Sequence, residues 1–153
     1  MQVLKAVEEV NEKQKSVLFN KLSAYYRGDL KGRRIALWGL AFKPETDDMR
    51  EATALVIIRK LLEAGVRVKV FDPVAMDECR RRVGDAVNYA TDMYDALDGA
   101  DALLLLTEWK LFRLPNWNMV KEKMNCPLVI DGRNIYDFTD LRSIGVEYSC
   151  IGK

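Results

Sequence analysis

Residues 36–51 read Ala-Leu-Trp-Gly-Leu-Ala-Phe-Lys-Pro-Glu-Thr-Asp-Asp-Met-Arg-Glu, and no other stretch of this 153-residue chain says as much about its architecture. An apolar run, Ile35 to Trp38, meets a single glycine, Gly39, and then a loop carrying Lys43. Thr46, Asp47 and Asp48 follow, then Arg50 and the start of a helical pattern. Strand, glycine turn and helix in that order set two cations, Lys43 and Arg50, at the carboxyl end of a strand and the amino end of a helix. Open α/β sheets bind ligands there, anionic ones above all. The stretch points to a phosphate-bearing small molecule.

The same alternation continues on both sides. Arg34–Trp38 reads as a strand and Glu51–Glu63 as a helix closed by Ala64-Gly65. Val66–Phe71 is a second strand, Met76–Arg82 a short helix and Val87–Tyr89 a third strand; Met93–Leu97 reads as a helix closed by Asp98-Gly99. Ala102–Leu106 is a continuous apolar run, the signature of a strand buried on both faces. Asn118–Met124 is helical, Leu128–Ile130 a strand, Phe138–Ser143 a helical turn and Val146–Ile151 a last strand. Strands separated by short helical crossovers predict an α/β, Rossmann-like doubly wound parallel sheet.

One long N-terminal helix precedes the sheet. Val3, Val7, Val10, Val17, Leu18, Leu22 and Tyr25 recur at three- and four-residue steps over residues 2–27. The helix has no start signal, as if it were the end of a longer one. Gly28 and Gly32 divide the chain into residues 1–30, a helical segment, and residues 31–153, the α/β domain. So narrow an apolar stripe does not fold alone. The helix either packs on its own domain or serves as a linker or dimerisation element.

Composition excludes several classes of function. A net charge of +1 provides no global field for nucleic acid or a membrane surface, and no apolar run is long enough to span a bilayer. Cys79, Cys126 and Cys150 form no CxxC pair, and without histidine there is neither a zinc ligand set nor a Ser-His-Asp arrangement. No metal and no catalytic residue is expected. The cysteines read as free thiols of a reducing, cytoplasmic setting.

A dinucleotide grip needs G-x-G-x-x-G so that backbone can approach a pyrophosphate. Here Gly39 stands alone, followed by Leu40, Ala41, Phe42, Lys43 and Pro44. Phe42 either stacks on a base or packs in the core, and Lys43 either pairs with phosphate or is a solvated lysine. Asp48-Met49-Arg50-Glu51 has the spacing of a helix capping box. Arg50, a cation at the positive end of a helix, is electrostatically disfavoured unless a carboxylate or phosphate pairs with it. Asp131-Gly132-Arg133 repeats the pattern of acid, glycine and cation at a later strand end. In a parallel sheet Lys43 and Arg133 share one edge, and converging cations suit a diphosphate or a polar sugar. Asp72 ends a strand on that edge, where it either holds a ribose or, with Pro73, makes a turn. Arg80-Arg81-Arg82 reads as a solvated helix face.

Four motifs together carry a family resemblance: G-L-A-F-K-P-E-T-D-D-M-R-E at 39–51, V-F-D-P at 70–73, L-L-L-T-E-W at 104–109 with F-R at 112–113, and D-G-R-N at 131–134. With A-V-E-E-V-N-E-K-Q-K at 6–15, they make the chain resemble the C-terminal, UDP-binding part of the UDP-glucose/GDP-mannose dehydrogenase family, its bacterial UDP-glucose 6-dehydrogenase branch in particular. The resemblance implies oxidation of a nucleotide sugar's C6 alcohol to a carboxylate with two NAD+, in polysaccharide biosynthesis. It implies substrate contacts from Phe42, Lys43 and Arg133, and a contact of Arg50 with NAD. It also implies that NAD is held mainly by an N-terminal domain, which carries the catalytic cysteine, so that this chain alone is inactive. Residues 1–30 become the end of the family's central helix, and a homodimer through it is expected. Sister enzymes acting on UDP-N-acetylmannosamine or GDP-mannose are alternatives, as is a stand-alone nucleotide-sugar-binding module.

Overall fold

The structure, a computed structural model, describes residues 15–151. In chain order it contains α1 (Val17–Tyr25), β1 (Arg34–Trp38), α2 (Thr53–Glu63), β2 (Arg67–Phe71), α3 (Met76–Val83), β3 (Asn88–Tyr89), β4 (Ala102–Leu105), α4 (Lys110–Arg113), α5 (Trp117–Lys123), β5 (Leu128–Asp131), α6 (Phe138–Ser143) and β6 (Glu147–Cys150), with single 3₁₀ turns at Gly84–Ala86 and Asp95–Leu97. All six strands pair in parallel, in the order β3-β2-β1-β4-β5-β6. That is a doubly wound sheet, as the alternation predicted, and its strand order reverses between β1 and β4.

Two apolar layers sandwich the sheet. On one face Ile35, Leu37 and Leu104 meet Leu18 and Leu22 of α1 and Ile57, Ile58 and Leu61 of α2. On the other, Trp38, Leu103, Leu105 and Val129 meet Phe112 of α4, Val120 of α5 and Leu141 of α6. Every residue of β4 and β5 is buried, which explains why β4 reads as an unbroken apolar run. Each fully buried leucine contributes about 1.5–3 kcal/mol. The Trp38 and Phe112 rings stack at 4.9 Å, and the indole N–H of Trp38 donates to the Met93 carbonyl at 2.8 Å.

The helix expected over residues 2–27 is described in part, as Val17–Tyr25, and residues 1–14 lie outside the described residues. Other expectations need correction. The helix expected from Glu51 starts at Thr53, with Ala52 as an N-cap that offers no side-chain hydrogen bond. The capping box does not form because Asp48 binds Arg50 instead and Glu51 adopts a left-handed φ of 55°. The helix expected over Met93–Leu97 shrinks to the 3₁₀ turn Asp95–Leu97, and the short α4 was not anticipated. Charge pairing on α3 is as expected for a solvated face: Arg81 and Arg82 both reach Glu78.

Candidate functional site

At the carboxyl ends of β1 and β4 the backbone is closed rather than open. Gly39 leaves β1 with φ of 93°, and a Cβ there would lie 2.5 Å from Thr107 Cβ and 2.6 Å from Thr107 N. Only glycine lets the exit of β1 touch the exit of β4 this closely. The buried Thr107 hydroxyl then donates to the Ala41 carbonyl at 2.7 Å and ties down the loop beyond.

Asp72 reinforces the closure. Its Oδ2 accepts from Leu40 N at 2.8 Å, and its Oδ1 accepts from Val74 N and Ala75 N, both at 2.8 Å. With both oxygens engaged and the residue only 1% exposed, Asp72 makes a turn and anchors the β1 loop rather than facing a ribose. The single glycine and the inward carboxylate do not fit a dinucleotide at this crossing.

Asp131 does equivalent work at the end of β5. Its Oδ1 accepts from Arg133 N at 2.8 Å and Asn134 N at 2.9 Å. Its Oδ2 accepts from Ile135 N at 2.8 Å, Tyr136 N at 3.2 Å and the Tyr148 hydroxyl at 2.8 Å. One fully buried carboxylate thus shapes the whole Gly132–Tyr136 loop. The cost falls on Tyr148, whose phenol is pushed well above its ordinary pKa by burial and by its bond to Asp131. Burial does the same to Tyr136, with the Asp131 charge adding to it.

Arg133 leaves that loop and crosses to the next. Its Nε donates to the Leu106 carbonyl at 2.9 Å and its Nη2 to the Phe42 carbonyl at 2.8 Å. The guanidinium therefore staples the β5 loop to the β4 exit and to the β1 loop, with donors to spare. Glu108 Oε2 stands 2.9 Å from Arg133 Nε, but that N–H is directed at Leu106 O. Glu108 Oε2 is consequently buried without a hydrogen bond, as is the neighbouring Trp109 Nε1. Sequence reasoning gave Glu108 no role; its placement in a T-E-W stretch just past an apolar strand was the available signal.

These loops wall a groove of about 540 Å³ with Lys15, Phe42, Arg50, Thr53 and Arg133 in its lining. A cleft of this size suits a small ligand. Phe42 is 52% exposed, so its ring is a wall and not core. Arg50, 80% exposed, forms a two-pronged pair with Asp48 (Nε–Oδ1 3.1 Å, Nη2–Oδ2 3.0 Å). Arg50 thus has the carboxylate partner that its position demanded. The pairing, together with the Arg50 backbone N–H, lowers the Asp48 carboxyl to about 2. Lys43 is exposed and lies outside the groove lining, so the structure brings together Phe42, Arg50 and Arg133 but not Lys43. Among the described residues no cluster of His, Cys, Asp and Glu could hold a metal, and no helix is long and apolar enough to cross a membrane.

Residues 36–138 match the UDP binding domain of the UDP-glucose/GDP-mannose dehydrogenase family. The chain belongs to that family. The matched span runs from β1 to the start of α6 and contains both loops of the groove. Among curated family members, the UDP-glucose 6-dehydrogenase of Pseudomonas aeruginosa is 46% identical over 157 residues, covering 99% of this chain and 35% of its own. UDP-glucose 6-dehydrogenase TuaD of Bacillus subtilis is 40% identical, covering 99% of this chain and 32% of its own. A solved UDP-glucose dehydrogenase from Pyrobaculum islandicum superposes with a TM-score of 0.77 at 34% identity, over 95% of this chain and 31% of that one. The chain therefore spans about a third of the length of the relatives it matches.

Proposed function

We propose that this chain is the substrate-binding domain of a UDP-glucose 6-dehydrogenase and holds the nucleotide end of UDP-glucose in the groove beside Arg133. The observation that carries this reading is the Arg133 guanidinium, fixed by the Leu106 and Phe42 carbonyls at the carboxyl edge with donors left over. Phosphate oxygens suit a guanidinium held in that way. Phe42 offers a ring face to the uracil or sugar, and Lys43 reaches the diphosphate once its exposed side chain swings toward the groove.

The full reaction, UDP-glucose and two NAD+ to UDP-glucuronate, requires parts beyond this chain. NAD, when bound, accepts the hydride; the closed β1–β4 crossing does not fit it, so it belongs to another domain of the enzyme. The exposed Arg50 is the group this domain would present to an anionic part of that cofactor. No catalytic residue is assigned here. Cys79 and Cys150 are buried and Cys126 sits near Tyr25, away from the groove. A cytoplasmic enzyme dimerising through the helix that contains α1 completes the reading.

Calorimetry with UDP and UDP-glucose tests the assignment. Arg133→Ala and Lys43→Ala should each weaken UDP binding by about tenfold or more, as expected for charge-assisted phosphate contacts. Equal affinity in both variants would contradict it. Mixing the chain with NAD+ and UDP-glucose should give no NADH. Sedimentation at several concentrations tests the dimer, and a monomer throughout would count against it.

A further inference from the structure

The sheet has an uncovered region at the end opposite the groove. On the face that carries Ala36 and Trp38, the strands β4, β5 and β6 are roofed by α4, α5 and α6. Phe112 of α4 packs on Trp38 and Phe71 at the carboxyl ends of β1 and β2, and the 3₁₀ turn Asp95–Leu97, which buries Ala96 and Leu97, lies against the same two strands. A cavity of about 390 Å³ remains between that turn and the strands.

Cations line it in an arrangement that folding alone does not favour. Strand register sets Arg34 of β1 directly beside Arg67 of β2. Lys69 follows two residues later on the same face, opposite Asn88 of β3. Like charges on neighbouring strands destabilise a sheet. Lys69 is neutralised by Asp95 at 3.0 Å, and Asp95 is further held by Thr91 N at 2.9 Å. Arg34 lies over Gly99, its Nη1 only 2.9 Å from where a Cβ would be. Among the described residues neither Arg34 nor Arg67 forms an ion pair through its side chain, and Asp98, the remaining acid of the lining, pairs with neither.

We propose that this cavity is a second anion site, at the amino ends of β1 and β2, that takes the phosphate group of a phosphorylated small molecule. Arg34 and Arg67 begin neighbouring strands in register, so both guanidiniums can turn their forks to phosphate oxygens, which a lysine pair would not match. Asn88 adds a neutral donor at the rim, and the cavity lies in the size range of small-ligand sites. An anion between Arg34 and Arg67 offsets their mutual repulsion, so binding and sheet stability are coupled. The site is independent of the groove, since Arg34 and Arg67 begin their strands whereas Phe42 and Arg133 lie beyond the ends of theirs.

The test is an amide NMR titration of the chain with inorganic pyrophosphate at constant ionic strength, alongside the Arg34→Ala/Arg67→Ala double variant. Saturable shifts at Arg34, Arg67, Lys69, Asn88 and Asp98, with a dissociation constant below about 1 mM, are expected. The double variant should lose that binding at least tenfold, roughly the share of charge-assisted contacts removed. Because both arginines are exposed and repel, the variant should melt no lower than the parent, and pyrophosphate should raise the melting temperature of the parent more than that of the variant. Shifts that do not saturate, shifts confined to 39–50 and 132–134, or binding unchanged in the double variant would overturn the proposal.

Discussion

Replacing Asp131 with asparagine would change one atom in the loop that carries Arg133, and its consequence can be worked from the geometry. The carboxylate accepts two hydrogen bonds on Oδ1 and three on Oδ2, four of the five from backbone N–H groups. An asparagine must turn its NH2 toward one of these sets. Tyr148 can rotate its hydroxyl to accept from the amide, but the facing backbone N–H groups cannot, so two of them lose their partner in either orientation. The residue is fully buried, and no solvent replaces them. A hydrogen bond to a charged group is worth about 1.5–3 kcal/mol, which puts the loss at about 3–6 kcal/mol. That is a large fraction of the roughly 5–15 kcal/mol by which domains are stable. With a urea m-value near 2 kcal/mol per M, the unfolding midpoint should fall by about 1.5–3 M. Equilibrium urea unfolding followed by far-UV circular dichroism measures this. In parallel the Tyr148 phenol should titrate at lower pH than in the parent, because the Asp131 charge and hydrogen bond that raise it are gone. A loss below about 1 kcal/mol, within the ordinary range for surface changes, would refute the view that Asp131 organises this loop.

Gly39→Ala should cost about 2–5 kcal/mol, from a left-handed φ and a Cβ forced against Thr107, and a urea midpoint close to the parent's would contradict the closed crossing. Carboxyl NMR should show Asp48 titrating near 2, and Arg50→Ala should return it toward 3.8. Since the folded value is the lower one, the contribution of Asp48 is present above about 3.8 and disappears as pH falls through about 2; an unshifted Asp48 would mean that the Arg50 pair does not persist in solution. Ellman's reagent should react quickly with one thiol, Cys126, in the native chain. Cys79 and Cys150 should wait for unfolding, since both are buried and burial raises the Cys79 thiol further from reactivity. Rapid reaction of all three would contradict the packing described.

The sheet was legible because its central strands announce themselves. Ala102–Leu105 is apolar at every position, and Arg34–Trp38 runs straight into Gly39. Edges and short elements were less so. Met93–Leu97 has helical spacing, but the Asp92 carboxylate accepts from Tyr94 N and Asp95 N, holding a tight turn that ends after one 3₁₀ loop. The start of α2 was misplaced because Asp48 has two possible partners, the helix N–H groups and Arg50, and a spacing rule cannot rank them. That Phe42 and Arg133 lie past strand ends on one edge was readable from the sequence. The reach of Arg133 to the Phe42 carbonyl, 91 residues away, was not, nor was the buried Glu108 carboxylate oxygen that sits against Arg133 without a hydrogen bond. Both arise where three loops cross, and no local pattern records a crossing.

The measurement that tests the central claim most directly is an amide NMR titration of the chain with UDP and, separately, GDP. The account predicts saturable shifts with UDP at Gly39–Arg50 and Gly132–Asn134, and weaker ones with GDP. Stronger binding of GDP, or UDP shifts that leave both loops untouched, would contradict it.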